Sequence, residues 1–422
     1  MIARVLTFPL ILILAGMAAI MMLLPTIDAL MRNDTSVARA FGYSAILGMA
    51  LVMIIGLAMS GRERREISDS QNLVSLLLAY LILPLFLAVP FYEGVGNTTF
   101  LNAYFEMVSS FTTTGATLFG ASGRLVDSLH LWRALVGWGG GLLIWISASA
   151  VLAPLNLGGF EVTARAEPGQ EDTLAGRFQR ANPAKRLAQV TTGLAPVYIG
   201  LTGALWLILM MGGERAFVAM VHAMSTMATS GISSIGGVQN GAAGFSGEFA
   251  IFLFLLFALS RLTFSSDTIT SARPGVFYDP EFRLGVMLVL GVPLLLVARH
   301  WIAAFEVVEA DNISIGLRAF WGGMFTVLSF LSTTGFESAD WQAARDWSGL
   351  GTPGLVLLGL SLVGGGVATT AGGVKLLRVY ALYLHGKREV ERLVHPSSVG
   401  RSTGAGRRIR RHGAYIAWVF FM

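Results

Sequence analysis

Apolar runs of about twenty residues, divided by short polar or charged stretches, recur along the chain. They lie near 5–30, 38–60, 72–92, 131–155, 186–212, 247–264, 284–304 and 351–384, and a further run opens at Ala414 and reaches Met422. Each full run is long enough to cross a hydrocarbon layer as a helix. Between the third and fourth, the fifth and sixth, and the seventh and eighth runs sit shorter, partly apolar segments around 98–111, 214–228 and 315–331. Helices of that length rise only about 21–25 Å, too little to cross and return, so they are expected to re-enter from one side. The first run, Val5 to Leu24, exceeds a signal-peptide core and has no small-residue cleavage site, so it is expected to be retained. The pattern predicts an all-α polytopic membrane protein of repeated helix–pore loop–helix units around a pseudo-four-fold axis.

Each short segment ends in a hydroxyl-rich run closed by glycine: Ser110 to Thr117 around Gly115, Ser225 to Ser233 around Gly231, and Ser329 to Phe336 around Gly335. The glycines are 116 and 104 residues apart, which marks an internal repeat. Repeated hydroxyl loops at membrane depth are suited to stripping water from a cation. Backbone carbonyls and hydroxyls replace the hydration shell, whereas a fixed carboxylate would hold a monovalent ion too tightly. The residues expected to do this are Thr112, Thr113, Thr114 and Gly115, then Ala228, Thr229, Ser230 and Gly231, then Ser332, Thr333, Thr334 and Gly335. They are expected to run extended, with glycine supplying a positive φ, after a helix whose negative dipole end favours the cation. The competing reading, that small residues merely pack helices together, weakens when the motif occurs three times on one side.

Composition agrees with a membrane setting: 54% hydrophobic, 13% charged, mean hydropathy +0.66. The absence of cysteine excludes disulfides and thiolate metal sites, and the six histidines lack metal-ligand spacing. With the amino terminus inside, 22 of the 30 basic residues fall on the inner side, as the positive-inside rule requires, and all three loops face outward. The net charge of +5 follows from that bias and gives no reason to expect nucleic acid.

The stretch Gly364-Gly365-Gly366-Val367-Ala368-Thr369-Thr370-Ala371-Gly372-Gly373-Val374-Lys375 places five glycines in twelve residues inside an apolar run. Such backbone is tolerated at membrane depth only where it lines a cavity or is buried in protein. The order of a phosphate-binding loop is absent, and a packing kink is the plain alternative. Glu106 on the first short helix is expected to hold the filter backbone by hydrogen bonds, and His222 on the second to be packed and bonded. Glu337 and Asp340 would give a negative outer mouth or solvated charge. Trp132, Trp301, Trp341 and Trp347 read as interfacial anchors.

These features together resemble the Trk/Ktr/HKT superfamily of potassium transporters, most closely the bacterial Trk-type membrane subunit, over essentially the whole chain. The resemblance rests on the filter Thr112 to Thr117, the stretch Leu155-Asn156-Leu157-Gly158-Gly159, and Arg165-Ala166-Glu167-Pro168-Gly169. It rests also on Tyr278-Asp279-Pro280-Glu281-Phe282-Arg283, the filter Ser332 to Phe336, and Arg392-Leu393-Val394-His395-Pro396. Members with serine at the first filter glycine tend toward sodium, so Gly115, Gly231 and Gly335 imply potassium as the transported ion. The resemblance further implies that Gly364, Gly365, Gly366, Thr369, Thr370, Gly372, Gly373 and Lys375 belong to an intramembrane gating loop. It implies a homodimer in the bacterial inner membrane, surrounded by lipid, with a cytosolic nucleotide-binding regulatory subunit, no cofactor and no enzymatic activity.

The expected organisation is an amino-terminal hairpin at 1–60, pore repeats at 68–160, 184–272 and 281–396 with the loop at 364–375, and the opening of a fourth repeat at 409–422. A fourth filter would fall near position 440 by extrapolation, so this chain is expected to be a fragment that does not transport alone. A proton- or sodium-coupled secondary transporter is the alternative reading, disfavoured because the spans hold few ionisable residues. A polytopic enzyme is disfavoured for want of a catalytic set.

Overall fold

Proline and glycine decide where the apolar runs cease to be single helices. The computed structural model describes residues 8–59, 69–120, 122–153, 155, 157, 183–260, 277, 279–303, 312–349, 351–395 and 418–419. Its first run is two helices, α1 (Leu10–Met21) and α2 (Leu23–Met31). Pro25 has no N–H to offer Met21, and the hydrogen-bond ladder breaks there. Then follow α3 (Thr35–Met59), α4 (Asp69–Val95), α5 (Phe100–Phe111), α6 (Asp127–Ser147, extended by a π turn to Leu152), α7 (Pro183–Met211) and α8 (Ala216–Ala228). The remainder comprises α9 (Gly244–Leu255, continued as a 3₁₀ turn to Leu259), α10 (Pro280–Ala303), α11 (Asn312–Leu331), α12 (Trp341–Ser348), α13 (Pro353–Val363) and α14 (Leu376–Val394). No strand occurs among the described residues.

Seven helical stretches among the described residues are long and apolar enough to cross a membrane. Their outward faces are apolar too: Ile46, Leu47, Met53 and Ile54 on α3 are each more than 60% exposed. A helix with apolar residues on every side is built for lipid as its solvent.

Three expectations about length need correcting. The run at 247–264 is helical only over Gly244–Leu259, too short to count among the seven. The third short segment is not 14–17 residues but a helix of 20, α11, and it counts among the seven. Its added first turns carry Asn312, Ser314 and Arg318, and its buried face starts only at Ala319. The run at 351–384 is no continuous span, because helix stops at Val363 and resumes at Leu376. The segments at 158–182 and 396–417, with the motif Arg165 to Gly169 and most of the proposed start of a fourth repeat, lie outside the described residues.

The chain groups into two units, one of residues 1–151 and 181–243, the other of 152–180 and 244–422. In the first, the amino-terminal helices share a core with the first repeat. Met22, Phe41 and Ala45 pack with Leu83, Leu87 and Phe91 of α4, Met107 of α5 and Trp132 of α6. Trp132 is fully buried and donates its indole N–H to the Leu87 carbonyl at 3.2 Å, so it is a core residue and not an interfacial anchor. Trp341 and Trp347 in the second unit are likewise buried, at 5% and 7% exposure. The side chain of Trp301 lies outside the described set.

Candidate functional site

The three glycine loops share one backbone design. α5, α8 and α11 end at Phe111, Ala228 and Leu331. In each loop the residue two before the glycine is a threonine in the left-handed region: Thr113 at φ 57°, Thr229 at 50° and Thr333 at 58°. The glycines follow at φ 72°, 67° and 83° for Gly115, Gly231 and Gly335. The loops are therefore not extended throughout, as the sequence suggested, but turn twice.

The first turn is a helix stop of the Schellman type. Thr113, Thr229 and Thr333 donate their N–H groups to the carbonyls of Ser110, Thr226 and Phe330 at 3.0, 3.2 and 3.0 Å. Thr114, Ser230 and Thr334 donate to Ser109, Ser225 and Ser329 at 2.9, 3.0 and 2.8 Å. Glycine normally takes the left-handed position, and a β-branched residue there costs about 1–3 kcal/mol. The same cost accepted three times at one register marks a site feature. The equivalent serines are Ser109, Ser225 and Ser329, so the sequence pairing of Ser110 with the other two was one residue out of register.

With their N–H groups turned back into the helices, the loops keep carbonyls unbonded. Those of Thr113, Thr114 and Gly115, of Thr229, Ser230 and Gly231, and of Thr333, Thr334 and Gly335 accept no hydrogen bond among the described residues. Hydroxyls are more occupied. Thr112 Oγ1 pairs with Thr114 Oγ1 at 2.8 Å, and Ser332 Oγ with Thr334 Oγ1 at 2.9 Å. Ala228 has no hydroxyl at that place, and Ser230 Oγ meets Ser225 Oγ instead, at 3.1 Å. Backbone carbonyls are the ligands on offer, and hydroxyls brace the loop.

Close backbone packing holds the first two loops together. A Cβ on Gly115 would lie 1.9 Å from the Ser230 carbonyl oxygen. Glycines on α6 accept the ends of both short helices: a Cβ on Gly140 would lie 2.0 Å from the Phe111 oxygen, and one on Gly141 2.9 Å from Ala228. The run Gly137-Trp138-Gly139-Gly140-Gly141 was the signal for this contact in the sequence. A glycine face shows its purpose only beside its partner.

Glu106 performs the expected bracing. It is fully buried, accepts the Leu118 N–H at 3.2 Å, and pairs with Arg133 of α6 at 2.6 Å. In the second unit a carboxylate that the sequence did not single out has a similar task. Glu248 of α9, 3% exposed, accepts the Ala339 N–H at 2.7 Å, the Ser338 hydroxyl at 2.7 Å and the Trp321 indole N–H at 3.0 Å. Of the two acids expected at the outer mouth, Glu337 is exposed, but Asp340 is paired with Arg318 at 2.6 Å and adds little net field.

The glycine-rich stretch between α13 and α14 is a closed loop fastened at both ends. Val374 and Lys375 donate backbone N–H groups to Leu362 and Val363 at 2.8 and 2.9 Å, and Leu376 donates to Gly365 at 2.9 Å. Its glycines serve close approach: a Cβ on Gly364 would lie 2.2 Å from the Gly372 oxygen, and one on Gly366 2.6 Å from the Leu259 oxygen. Thr369 Oγ1 donates to the Gly366 carbonyl at 2.8 Å, and the Lys375 ammonium donates to Ala371. Thr370 lies in the same stretch. Glu281 of α10 accepts the Val367 N–H at 3.2 Å. The far side reaches the third glycine loop, where the Gly372 N–H donates to Thr333 Oγ1 at 2.7 Å.

Comparison with known proteins finds relatives of the whole chain. Residues 278–422 match the family model TrkH, a cation transport protein. The Trk system potassium uptake protein TrkH of Salmonella typhimurium is 30% identical over 404 residues, which is 95% of this chain and 79% of that protein. Its counterpart in Vibrio parahaemolyticus is 27% identical over 420 residues, 97% of this chain and 81% of that one. The crystal structure of the potassium transporter TrkH from Vibrio parahaemolyticus matches with a TM-score of 0.78 at 24% identity, over 100% of this chain and 83% of the other, a likeness of fold.

Proposed function

The chain belongs to the TrkH family of Trk-system potassium uptake proteins, and we propose that potassium passes through a filter made by the loops around Gly115, Gly231 and Gly335. It is a membrane transporter and not an enzyme. The observation that carries the reading is the repeated set of carbonyls that accept no hydrogen bond among the described residues. Thr229, Ser230 and Thr334 are buried, where a carbonyl without a partner is costly, and the others are half-buried or exposed. A cation that has shed its water supplies a partner to all of them. Neutral dipoles hold the ion loosely enough to release it. The short helices end at these loops, so their negative dipole ends lie where a cation would sit. In this reading the amino terminus is cytoplasmic, the loops open outward, and a second copy and a cytosolic nucleotide-binding subunit complete the assembly. The test is rubidium binding to the purified protein, with sodium as competitor. Binding that sodium and potassium suppress equally would refute the filter.

The loop 364–375 is proposed as the gate of this pathway. Its hydrogen bond to Thr333 supports a place next to the filter, and its dense packing supports a resting state that blocks. Removing residues 367–371 should raise unregulated rubidium flux severalfold. A protein that folds without them and conducts no faster would make the loop a packing device.

A further inference from the structure

The residue nine places before each filter glycine is Glu106, His222 or Thr326, and all three are buried to 2% exposure or less. Two of them do the same thing. Glu106 Oε2 accepts the N–H of Leu118 at 3.2 Å, and Thr326 Oγ1 accepts the N–H of Ser338 at 3.3 Å. Both donors are the third residue after the glycine. Each short helix thus reaches past its own filter and pins the chain leaving it.

The second repeat achieves this through a relay. His222 Nε2 lies 2.9 Å from Ser233 Oγ, two residues after Gly231. That hydroxyl accepts the N–H groups of Ile235 at 3.2 Å and Gly237 at 3.0 Å. A hydroxyl has two acceptor lone pairs and one hydrogen. Both lone pairs are taken, so the hydrogen points to His222 Nε2. The ring is therefore a neutral acceptor at Nε2 with its proton on Nδ1, and Ser233 is locked in one rotamer that gathers two backbone groups.

We propose that His222, acting through Ser233, is a positioning residue for ion selection, the counterpart of Glu106 and Thr326. It fixes the outer exit of the second loop and thereby the spacing of the Thr229, Ser230 and Gly231 carbonyls. The inference rests on the filter reading above. A residue that only filled space would alter how much protein folds, whereas a positioning residue alters which ion passes.

The experiment uses the full purified chain, with rubidium binding measured against sodium as competitor, a readout that needs no transport. His222→Ala and Ser233→Ala should each lower the preference for rubidium by about tenfold, the scale set by losing one buried hydrogen-bond anchor. His222→Gln, whose amide oxygen can accept the serine hydrogen, should retain most of the preference. The double variant should be no worse than either single one, since both cut the same relay. Ser233→Ala removes one oxygen and keeps the inference testable if His222→Ala fails to fold. Unchanged preference in the folded single variants, or effects that multiply in the double variant, would overturn the proposal. An unsubstituted protein with no ion preference would instead refute the filter reading itself, which the first measurement reveals before any variant is compared.

Discussion

Gly115→Ser should abolish most of the preference for potassium over sodium, and Gly335→Ser should damage it much less. Both glycines lie in the left-handed region, so both substitutions carry a backbone strain of about 1–2 kcal/mol. Their surroundings differ. A Cβ on Gly335 meets nothing within 4 Å, while one on Gly115 would lie 1.9 Å from the carbonyl oxygen of Ser230. That oxygen is itself a proposed ligand, and backbone cannot step aside as the end of a side chain can. The first substitution must therefore displace two loops at once. A change of about 1.4 kcal/mol in relative ion binding is tenfold in preference, and Gly115→Ser should reach or exceed that. Rubidium binding with sodium as competitor measures both variants. Equal losses would show that contact between the first two loops has no part in selection.

Arg133→Met should cost about 3–5 kcal/mol of stability, because it leaves the Glu106 carboxylate buried without its counter-charge. The two side chains are 4% and 0% exposed and 2.6 Å apart. Glu106→Gln combined with Arg133→Met should recover most of the loss. It removes both charges and keeps a side-chain oxygen for the Leu118 N–H. Thermal unfolding in detergent compares the three proteins. If the single and double variants melt at the same temperature, the pair is not what stabilises this part of the fold.

Much of the architecture was legible without coordinates. Runs of apolar residues have one stable form in lipid, since only a helix satisfies its own backbone there, so positions and approximate lengths followed from hydropathy. The three glycine-closed loops were legible because a hydroxyl run closed by glycine has no ordinary place between apolar helices. The gaps in that reading have physical causes. A tryptophan near a span end reads the same whether it faces headgroups or a core, and only the bond from Trp132 to Leu87 tells them apart. The length of α11 depends on polar turns at Asn312 to Arg318 that hydropathy discounts.

The composition and periodicity of this chain determined that it is a helical membrane protein with three equivalent loops, because burial in lipid and internal repetition are properties of the chain itself. Three things depended on residues distant in sequence and were decided only by the fold. Threonine carries the left-handed turn, since the N–H groups after it are captured by the last helical turn. Gly115 and the α6 glycines are required by a neighbouring backbone whose approach no local pattern records. Glu106, His222 and Thr326 share one task because each helix ends at the same distance from the chain it holds.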